Sequence, residues 1–391
     1  MPSLTLVKLL WCGQGMTTLV EIYDDGVEKD AADYLALIDC GGSPTYGKDA
    51  VNHIKDKVAK RATTPKKLDL VVISHQDDDH NGLLGALGKE LKTIDARVGS
   101  VHIGGLSWLP GNQATVNTFL TAVQYPGGAV NFSAPEASDY PGGGTAPGHI
   151  AEHKDVKFRI LISNLNLPNV TDDIVRNGSS AVVVVDNGVN TVVLPGDATF
   201  QTMLAINTKL GGAPLTPQVL ALEIPHHGAL RTAVENYAAK GKKTDFTWTI
   251  IEDFATRVMK PKKVGASAGP WNTDNHPVKE VIEVFVGTTD TAASHTYVAF
   301  VFFQKKSTVQ WDTITIDRAV DTTIQKLNVK QKKRKRDAPA PAAGTDFIVG
   351  HIVYRLSGAL GLRPEEMVEF RPCGTFGMHG PDEDVVQAPE P

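Results

Sequence analysis

Residues 71–82 read Val-Val-Ile-Ser-His-Gln-Asp-Asp-Asp-His-Asn-Gly. The apolar run Leu70-Val71-Val72-Ile73 stops abruptly at four potential metal ligands, His75, Asp77, Asp79 and His80, and a helix-compatible Leu83-Leu84-Gly85-Ala86-Leu87 follows. This pattern predicts a buried strand, a ligand-bearing turn and then a helix. Side chains two apart in extended backbone point the same way, so His75 and Asp77 share one side of the turn. Asp79 and His80 are adjacent and splay apart, so each can face a different cation. Such an arrangement suits a two-metal hydrolytic centre at a strand-to-helix turn. For this stretch alone, the competing reading is a polar loop with an acidic helix cap.

Three further strand ends carry chemistry. Val192-Val193-Leu194-Pro195-Gly196-Asp197 delivers one carboxylate just past a glycine, and the two oxygens of such a carboxylate can each serve one ion. Glu223-Ile224-Pro225-His226-His227-Gly228 ends a strand in a histidine doublet. Ala266-Ser267-Ala268-Gly269-Pro270-Trp271-Asn272 leads to His276-Pro277, with the proline at a favoured helix start. Singly, each is as well read as a turn, a surface loop or a cap.

The 391 residues suffice for one large domain or two, and 41% apolar with 21% charged residues is ordinary for a soluble globular chain. A net charge of -5 gives no global reason to expect nucleic acid, although local patches can still bind it. Cys12, Cys40 and Cys373 build no disulfide framework, which predicts a reducing, cytoplasmic setting. No run of ~18 apolar residues predicts membrane insertion.

Around these motifs, strands are expected at 3–11, 18–23, 34–39, 68–74, 158–163, 180–185, 191–194, 219–224, 245–251, 296–303 and 308–316. Helices are expected at 48–60, 81–92, 114–124, 200–210, 232–240 and 276–286. Strands alternating with helices predict a layered α/β domain over residues 1–328. Residues 104–150, rich in Gly, Pro, Asn and Ser, read as an irregular surface insertion placed to act as a lid. Residues 329–344 form a basic and Ala/Pro linker, with Lys330, Lys332, Lys333, Arg334, Lys335 and Arg336 in close succession. Residues 345–391 read as a small C-terminal extension with a disordered end.

The ordered series His-x-Asp-x-Asp-His, Gly-Asp and His-His-Gly, each at a strand end, resembles the metallo-β-lactamase superfamily. The Asp77 variant is most similar to the hydrolase domain that ends ComEC-type DNA-uptake (competence) proteins. Trp11-Cys12-Gly13-Gln14-Gly15-Met16 resembles the family's opening turn, and Leu37-Ile38-Asp39-Cys40-Gly41-Gly42 its next strand and glycine pair. Asn177-Gly178-Ser179-Ser180 and Ser267-Ala268-Gly269 with Asn272 and His276-Pro277 match in type and order. The resemblance spans about residues 5–300.

It implies a four-layer αβ/βα sandwich with the site at one edge between two sheets, and two divalent metal ions, zinc or manganese. His75, Asp77 and Asp197 would hold one ion, and Asp79, His80 and one histidine of the 226–227 pair, His226 in preference to His227, with Asp197 shared, the other. His227 would contact substrate, and His227 or His276 would donate a proton, while Asp79 also orients the nucleophile. Asn177, Ser179, Ser267 and Asn272 would bind substrate. The third histidine common in the superfamily has only His149 and His153 as candidates here, which predicts one ligand-poor metal site. Asp77 in place of the usual second histidine enriches the pocket in oxygen donors and shifts preference from zinc towards manganese.

The implied chemistry is attack by a metal-activated hydroxide. The leading expectation is a phosphodiesterase or nuclease acting on DNA, with the basic run Lys332 to Arg336 as a contact for the backbone. The alternatives are a small-molecule hydrolase of a cyclic nucleotide, lactone or thioester, and a noncatalytic protein that docks a partner through 345–375 around a structural metal.

Overall fold

Three buried runs open the chain as β1 (Leu4–Leu9), β2 (Thr17–Tyr23) and β3 (Tyr34–Cys40), followed by β4 (Lys67–Ile73) and β5 (Arg97–Ile103). The rest of the strands are β6 (Ala151–His153), β7 (Val156–Ile162), β8 (Val182–Asp186), β9 (Asn190–Leu194), β10 (Gln218–Glu223), β11 (Lys263–Ala266), β12 (Tyr297–Phe300), β13 (Phe302–Lys305), β14 (Trp311–Asp312), β15 (Asp346–Ser357) and β16 (Val368–Gly377). Between them lie α1 (Lys48–Lys60), α2 (Asp78–Asn81), α3 (Leu84–Lys92), α4 (Pro110–Ala122), α5 (Asp172–Gly178), α6 (Phe200–Lys209) and α7 (Phe246–Asp253). This computed structural model describes residues 2–13, 15–42, 44, 46–128, 130, 132, 149–167, 172–232, 246–267, 281, 284–285, 297–300, 302–305, 311–312, 346–357 and 368–377.

Alternation within the strands dictates the layers, because successive side chains face opposite sides of a sheet. Val7, Leu9, Val20, Ile22, Ala36, Ile38, Leu70 and Val72 share one core with β7–β11, α6 and α7. Their neighbours Leu6, Leu10, Leu19, Leu35, Leu37, Val71 and Ile73 share a second core with α1, α3 and α4. Two mixed sheets therefore stack face to face with helices outside each, the expected αβ/βα sandwich. Among the described residues the first sheet has nine strands, in the order β14-β13-β15-β1-β2-β3-β4-β5 with β16 on β15, and the second has seven, in the order β12-β11-β10-β9-β8-β7-β6.

The parallel part of each sheet positions the site. β3, β4 and β5 run parallel in the first sheet, and β9, β10, β11 and β12 in the second. Their carboxyl ends open onto the same edge, where ligand sites of α/β sheets form. Among the described residues no helix is long and apolar enough to cross a membrane.

Several expected elements differ. Residues 245–251 were expected as a strand because Phe246-Thr-Trp-Thr-Ile-Ile251 is aromatic and β-branched, yet 246–253 is helical. Buried Trp248, Ile251, Phe254 and Val258 recur every three to four residues, a helical spacing that outweighs strand propensity once α6 offers a packing face. The helix expected at 114–124 within the 104–150 region is present as α4, which buries Val116, Phe119 and Leu120 in the outer core. The expected helix at 232–240 lies almost wholly, and that at 276–286 largely, outside the described residues, as does the basic linker at 329–344.

Residues 346–357, read from sequence as part of an extension, run antiparallel along β1 from Leu4↔Ser357 to Leu9↔Ile352. Glu28, in the β2–β3 connection, secures this corner: Arg371 donates to its two oxygens at 2.6 and 2.9 Å, and Arg355 donates at 3.1 Å. The Arg371 hydrogen bonds hold the Glu28 carboxyl at about 2, against an ordinary 4.5. A carboxyl depressed in the folded state stabilises fully above the unfolded value and loses that contribution as pH falls through the folded one. The difference in urea midpoint between the native chain and Glu28→Gln should therefore be largest above pH 4.5 and close as pH approaches 2.

Candidate metal centre

The turn after β4 begins with Ser74, whose amide and hydroxyl donate to the two oxygens of Asp39 at 2.6 and 2.7 Å. Asp39 stands near the end of β3 with φ 55, a left-handed conformation that Asp tolerates better than most residues. Its Oδ2 also lies 2.8 Å from His80 Nδ1. In that contact His80 Nδ1 keeps its proton and donates it to Asp39, which aims Nε2 into the site, the arrangement typical of metal-ligating imidazoles.

Asp197 enters from the end of β9 and is 2% exposed. Its Oδ1 faces His80 Nε2 at 2.8 Å and His227 Nε2 at 3.9 Å. Its Oδ2 faces His226 Nε2 at 3.3 Å and His75 Nε2 at 3.8 Å. His75 Nε2 also lies 3.7 Å from Asp77 Oδ2, and His227 Nε2 lies 3.2 Å from Asp79 Oδ2. One carboxylate thus sits between two groups of donors. Ligand atoms of His75, His80 and Asp197 fall within 4.8 Å of one another, as do those of Asp79, His80 and His227.

The histidine doublet is parted by its backbone. His226 (φ 51) and His227 (φ 52) both adopt left-handed conformations, followed by Gly228 at φ 75. Each non-glycine residue held this way costs roughly 1–2 kcal/mol. The turn sends the rings to opposite sides of Asp197. His227 Nδ1 donates to the Ser267 carbonyl at 2.5 Å, leaving Nε2 towards Asp79, while His226 Nε2 lies 3.4 Å from Asn177 Nδ2.

The electrostatics are those of a site built for cations. Burial disfavours the charged form of His80, but Asp197 and Asp39 raise its pKa well above the ordinary value. Burial likewise opposes ionisation of Asp197, and His226 and His80 hold it well below the usual carboxylate range. Asp79 is lowered against burial by its hydrogen bond with His227. His75 Nε2, His80 Nε2 and Asp197 Oδ1 are buried without a properly directed hydrogen bond, even where His80 and Asp197 approach to 2.8 Å. Buried polar atoms left so are costly. Imidazole nitrogens and carboxylate oxygens converging in this way fit a divalent metal ion.

Other expected residues stand elsewhere. The Ser179 hydroxyl accepts from the Leu106 amide at 2.8 Å, and the Ser267 hydroxyl donates to the Gly15 carbonyl at 2.6 Å, so both staple backbone. His149 pairs with Glu152, and His153 pairs with Asp24 and stacks on Tyr34, apart from the Asp197 group. Asn272 and His276 lie outside the described residues.

Sequence reading overlooked several contributors. Asp39 reads in sequence as part of a strand, although a carboxylate closing the apolar run Leu35-Ala36-Leu37-Ile38 is an available signal. Glu223 likewise closes Val219-Leu220-Ala221-Leu222, and burial pushes its carboxyl up to about 8. Gln76 accepts from the Leu109 amide at 2.6 Å and donates to the carbonyls of Leu106 and Ser107, tying the segment after β5 to the ligand turn. Arg176 stands 3.5 Å from Asp77 Oδ1.

Gly41 permits the whole arrangement, since a β-carbon there would overlap the Asp79 carbonyl and the His80 amide. Both overlapping groups are backbone, so the turn itself would have to move. Gly41→Ala is expected to lower stability by about 3 kcal/mol, the upper range for overpacking, read by urea unfolding of the metal-free protein.

The family model described as the metallo-beta-lactamase superfamily matches residues 12–238. No curated protein matches the sequence. Among solved structures, the metallo-beta-lactamase fold protein YhfI from Bacillus subtilis is similar at TM-score 0.38 and 13% identity, over 75% of this chain and 98% of that one. A long form RNase Z from yeast gives 0.37 and 10%, over 85% of this chain and 44% of that one. A diphosphatase from the PhnP family gives 0.34 and 13%, over 80% and 96%. Matched over more than half its length by the family model, the chain belongs to the metallo-beta-lactamase superfamily.

Proposed function

We propose that the chain is a two-metal phosphodiesterase, with DNA as its polymeric substrate. The observation that carries this reading is Asp197, whose two oxygens face two separate sets of donors. His75, Asp77, His226 and Asp197 Oδ2 would hold one ion, and Asp79, His80, His227 and Asp197 Oδ1 the other. This allocation differs from the sequence-based one, which gave His226 to the second ion and kept His227 for substrate. It supplies the first site with a histidine from the 226–227 doublet where His149 and His153 are occupied elsewhere.

Two divalent ions there would acidify water and polarise a phosphoryl oxygen. The protein's own groups prepare that chemistry. Asp39 and the Ser267 carbonyl fix the tautomers of His80 and His227, so that their Nε2 atoms face the centre. Asp79, 35% exposed on its side chain, stands at the solvent side, where its ionised carboxylate would orient an attacking water. Asn177 steadies His226, and the Ser179 and Ser267 hydroxyls bind the backbone of Leu106 and Gly15 in neighbouring segments.

The DNA component rests on the resemblance to DNA-uptake hydrolase domains, and a cytoplasmic setting on the scarcity of cysteine. The test is metal analysis of protein purified without added ions, followed by assays with manganese or zinc on single-stranded DNA, duplex DNA and bis(p-nitrophenyl) phosphate. About two metal ions per chain and cleavage of all three diesters are the expected results. Turnover of the small diester alone would move the substrate from DNA to a small molecule. Retained metal without turnover of any diester would sink the enzymatic reading.

A further inference from the structure

His75, Gln76 and Asp77 succeed one another in the ligand turn, but only the outer two face the centre. His75 Nε2 and Asp77 Oδ2 stand 3.7 Å apart, whereas the fully buried Gln76 turns to the segment joining β5 to α4. Its Nε2 donates to the carbonyls of Leu106, at 3.2 Å, and of Ser107, and its Oε1 accepts from the Leu109 amide at 2.6 Å. The Gln76 carbonyl in turn accepts from the side chains of Asn81, in α2, and Asn112, in α4. The residue between two ligands is thus pinned by five hydrogen bonds.

Packing completes the clamp. Gly105 lies so close to His75 that a β-carbon on it would fall 2.8 Å from the His75 Cβ. Trp108 folds back over the same turn, its Nε1 donating to the carbonyls of Gly104 and Gly105 at 3.1 Å each. Ser107 holds φ 60, a left-handed conformation uncommon for a residue with a side chain, and its carbonyl is one that Gln76 captures. Such a conformation persists where its surroundings over-determine it. His75 has most need of the support. The Asp39 carboxylate anchors His80 Nδ1 and the Ser267 carbonyl anchors His227 Nδ1, whereas the partner of His75 Nδ1 is the Ser74 hydroxyl at 3.1 Å. A neutral hydroxyl holds an imidazole less firmly than a carboxylate does.

We infer that Gln76 is a positioning residue for the ion held by His75 and Asp77. By locking the turn to the β5–α4 segment it sets the spacing of those two ligands, and with it the affinity of that site. The site formed by Asp79, His80 and His227 does not depend on it. The inference rests on the two-ion allocation proposed above.

The test titrates manganese into the metal-free full chain by calorimetry, with Gln76→Met, Gln113→Ala and Asp77→Ala beside native protein. Methionine keeps the length of the buried side chain and removes its hydrogen bonds. Gln113→Ala removes a bond in the same segment, Nε2 to the Trp108 carbonyl at 2.8 Å, without touching the ligand turn. Native protein should bind in two steps. Gln76→Met should weaken one step by about tenfold to a hundredfold and leave the other within about threefold, as when a group that orients one ligand is lost. The weakened step should be the one that Asp77→Ala weakens, and Gln113→Ala should keep both. Equal weakening of both steps in Gln76→Met, native affinity at both, or the same loss in Gln113→Ala would overturn the inference, since Gln76 would then serve only the fold. Should Gln76→Met not fold, Asn112→Ala, which removes one donor to the Gln76 carbonyl, decides. Selective weakening of the same step supports the inference and native affinity overturns it. If native protein binds a single ion, the two-metal reading fails; a weaker ion in Gln76→Met then supports this inference, and an unchanged one overturns it. No binding by native protein would overturn both.

Discussion

Asp197→Ala is expected to abolish metal-dependent hydrolysis, with a loss of about a thousandfold or more, while the sandwich remains folded. Each ion in such a centre contributes several kcal/mol of charge stabilisation, and about 1.4 kcal/mol corresponds to a factor of ten. The oxygens of Asp197 reach both donor groups, so its removal weakens both sites together. The fold should survive because Asp197 lies beyond β9, and the core behind it is formed by Val192, Val193 and Leu194. Removing the carboxylate removes one of the two charges that raise His80, and Asp39, 2.8 Å from Nδ1, still partners that imidazole. Circular dichroism should show native secondary structure, and metal analysis should show less than one ion bound. Asp197→Asn keeps the volume and one oxygen acceptor, so it should retain partial metal at one site with little turnover. Native metal content and native rates in Asp197→Ala would refute the bridging role.

The ligand turn was legible in sequence because its information is local. Four buried residues from Leu70 to Ile73 fix a strand, and the ligands fall at its end where a helix follows. The same local pattern placed Asp197 after β9 and the histidine doublet after β10. How the doublet divides was not legible. It depends on two successive left-handed conformations, uncommon for any residue with a side chain, and no side-chain pattern announces them. Asp39 and Arg176 were missed for another reason: their meaning lies in partners 41 and 99 positions away, His80 and Asp77 respectively. The place of β15 is the extreme case. Pairing of Leu4 with Ser357 joins the two ends of the chain across a basic, proline-rich stretch that reads locally as a boundary.

That pairing leads to the second large effect. A chain ending at residue 345 is expected not to fold, whereas removal of a merely appended module would leave the hydrolase domain intact. β15 lies against β1 over six residues, and Ile352, Val353, Tyr354 and Leu356 are fully buried. Ile352, Tyr354 and Leu356 enter the core between the sheets, and Val353 enters the outer core beside α1. Burying each such side chain contributes roughly 1.5–3 kcal/mol, so the four together approach the ~5–15 kcal/mol by which a domain is stable at all. The Trp11 amide would also lose its acceptor, His351 Nδ1 at 3.1 Å, beside the turn leading to the centre. Without β15, β1 becomes an exposed apolar edge, a template for pairing with other chains. The shortened chain should therefore be recovered mainly as aggregate, and any soluble fraction should show no cooperative thermal transition. A milder variant separates packing from edge exposure. Tyr354→Ala keeps the strand but empties a buried site beside Gly265, and should lower stability by about 3–5 kcal/mol with the chain still soluble. A soluble 1–345 chain with the native melting temperature would show that the sandwich is complete without its last strands.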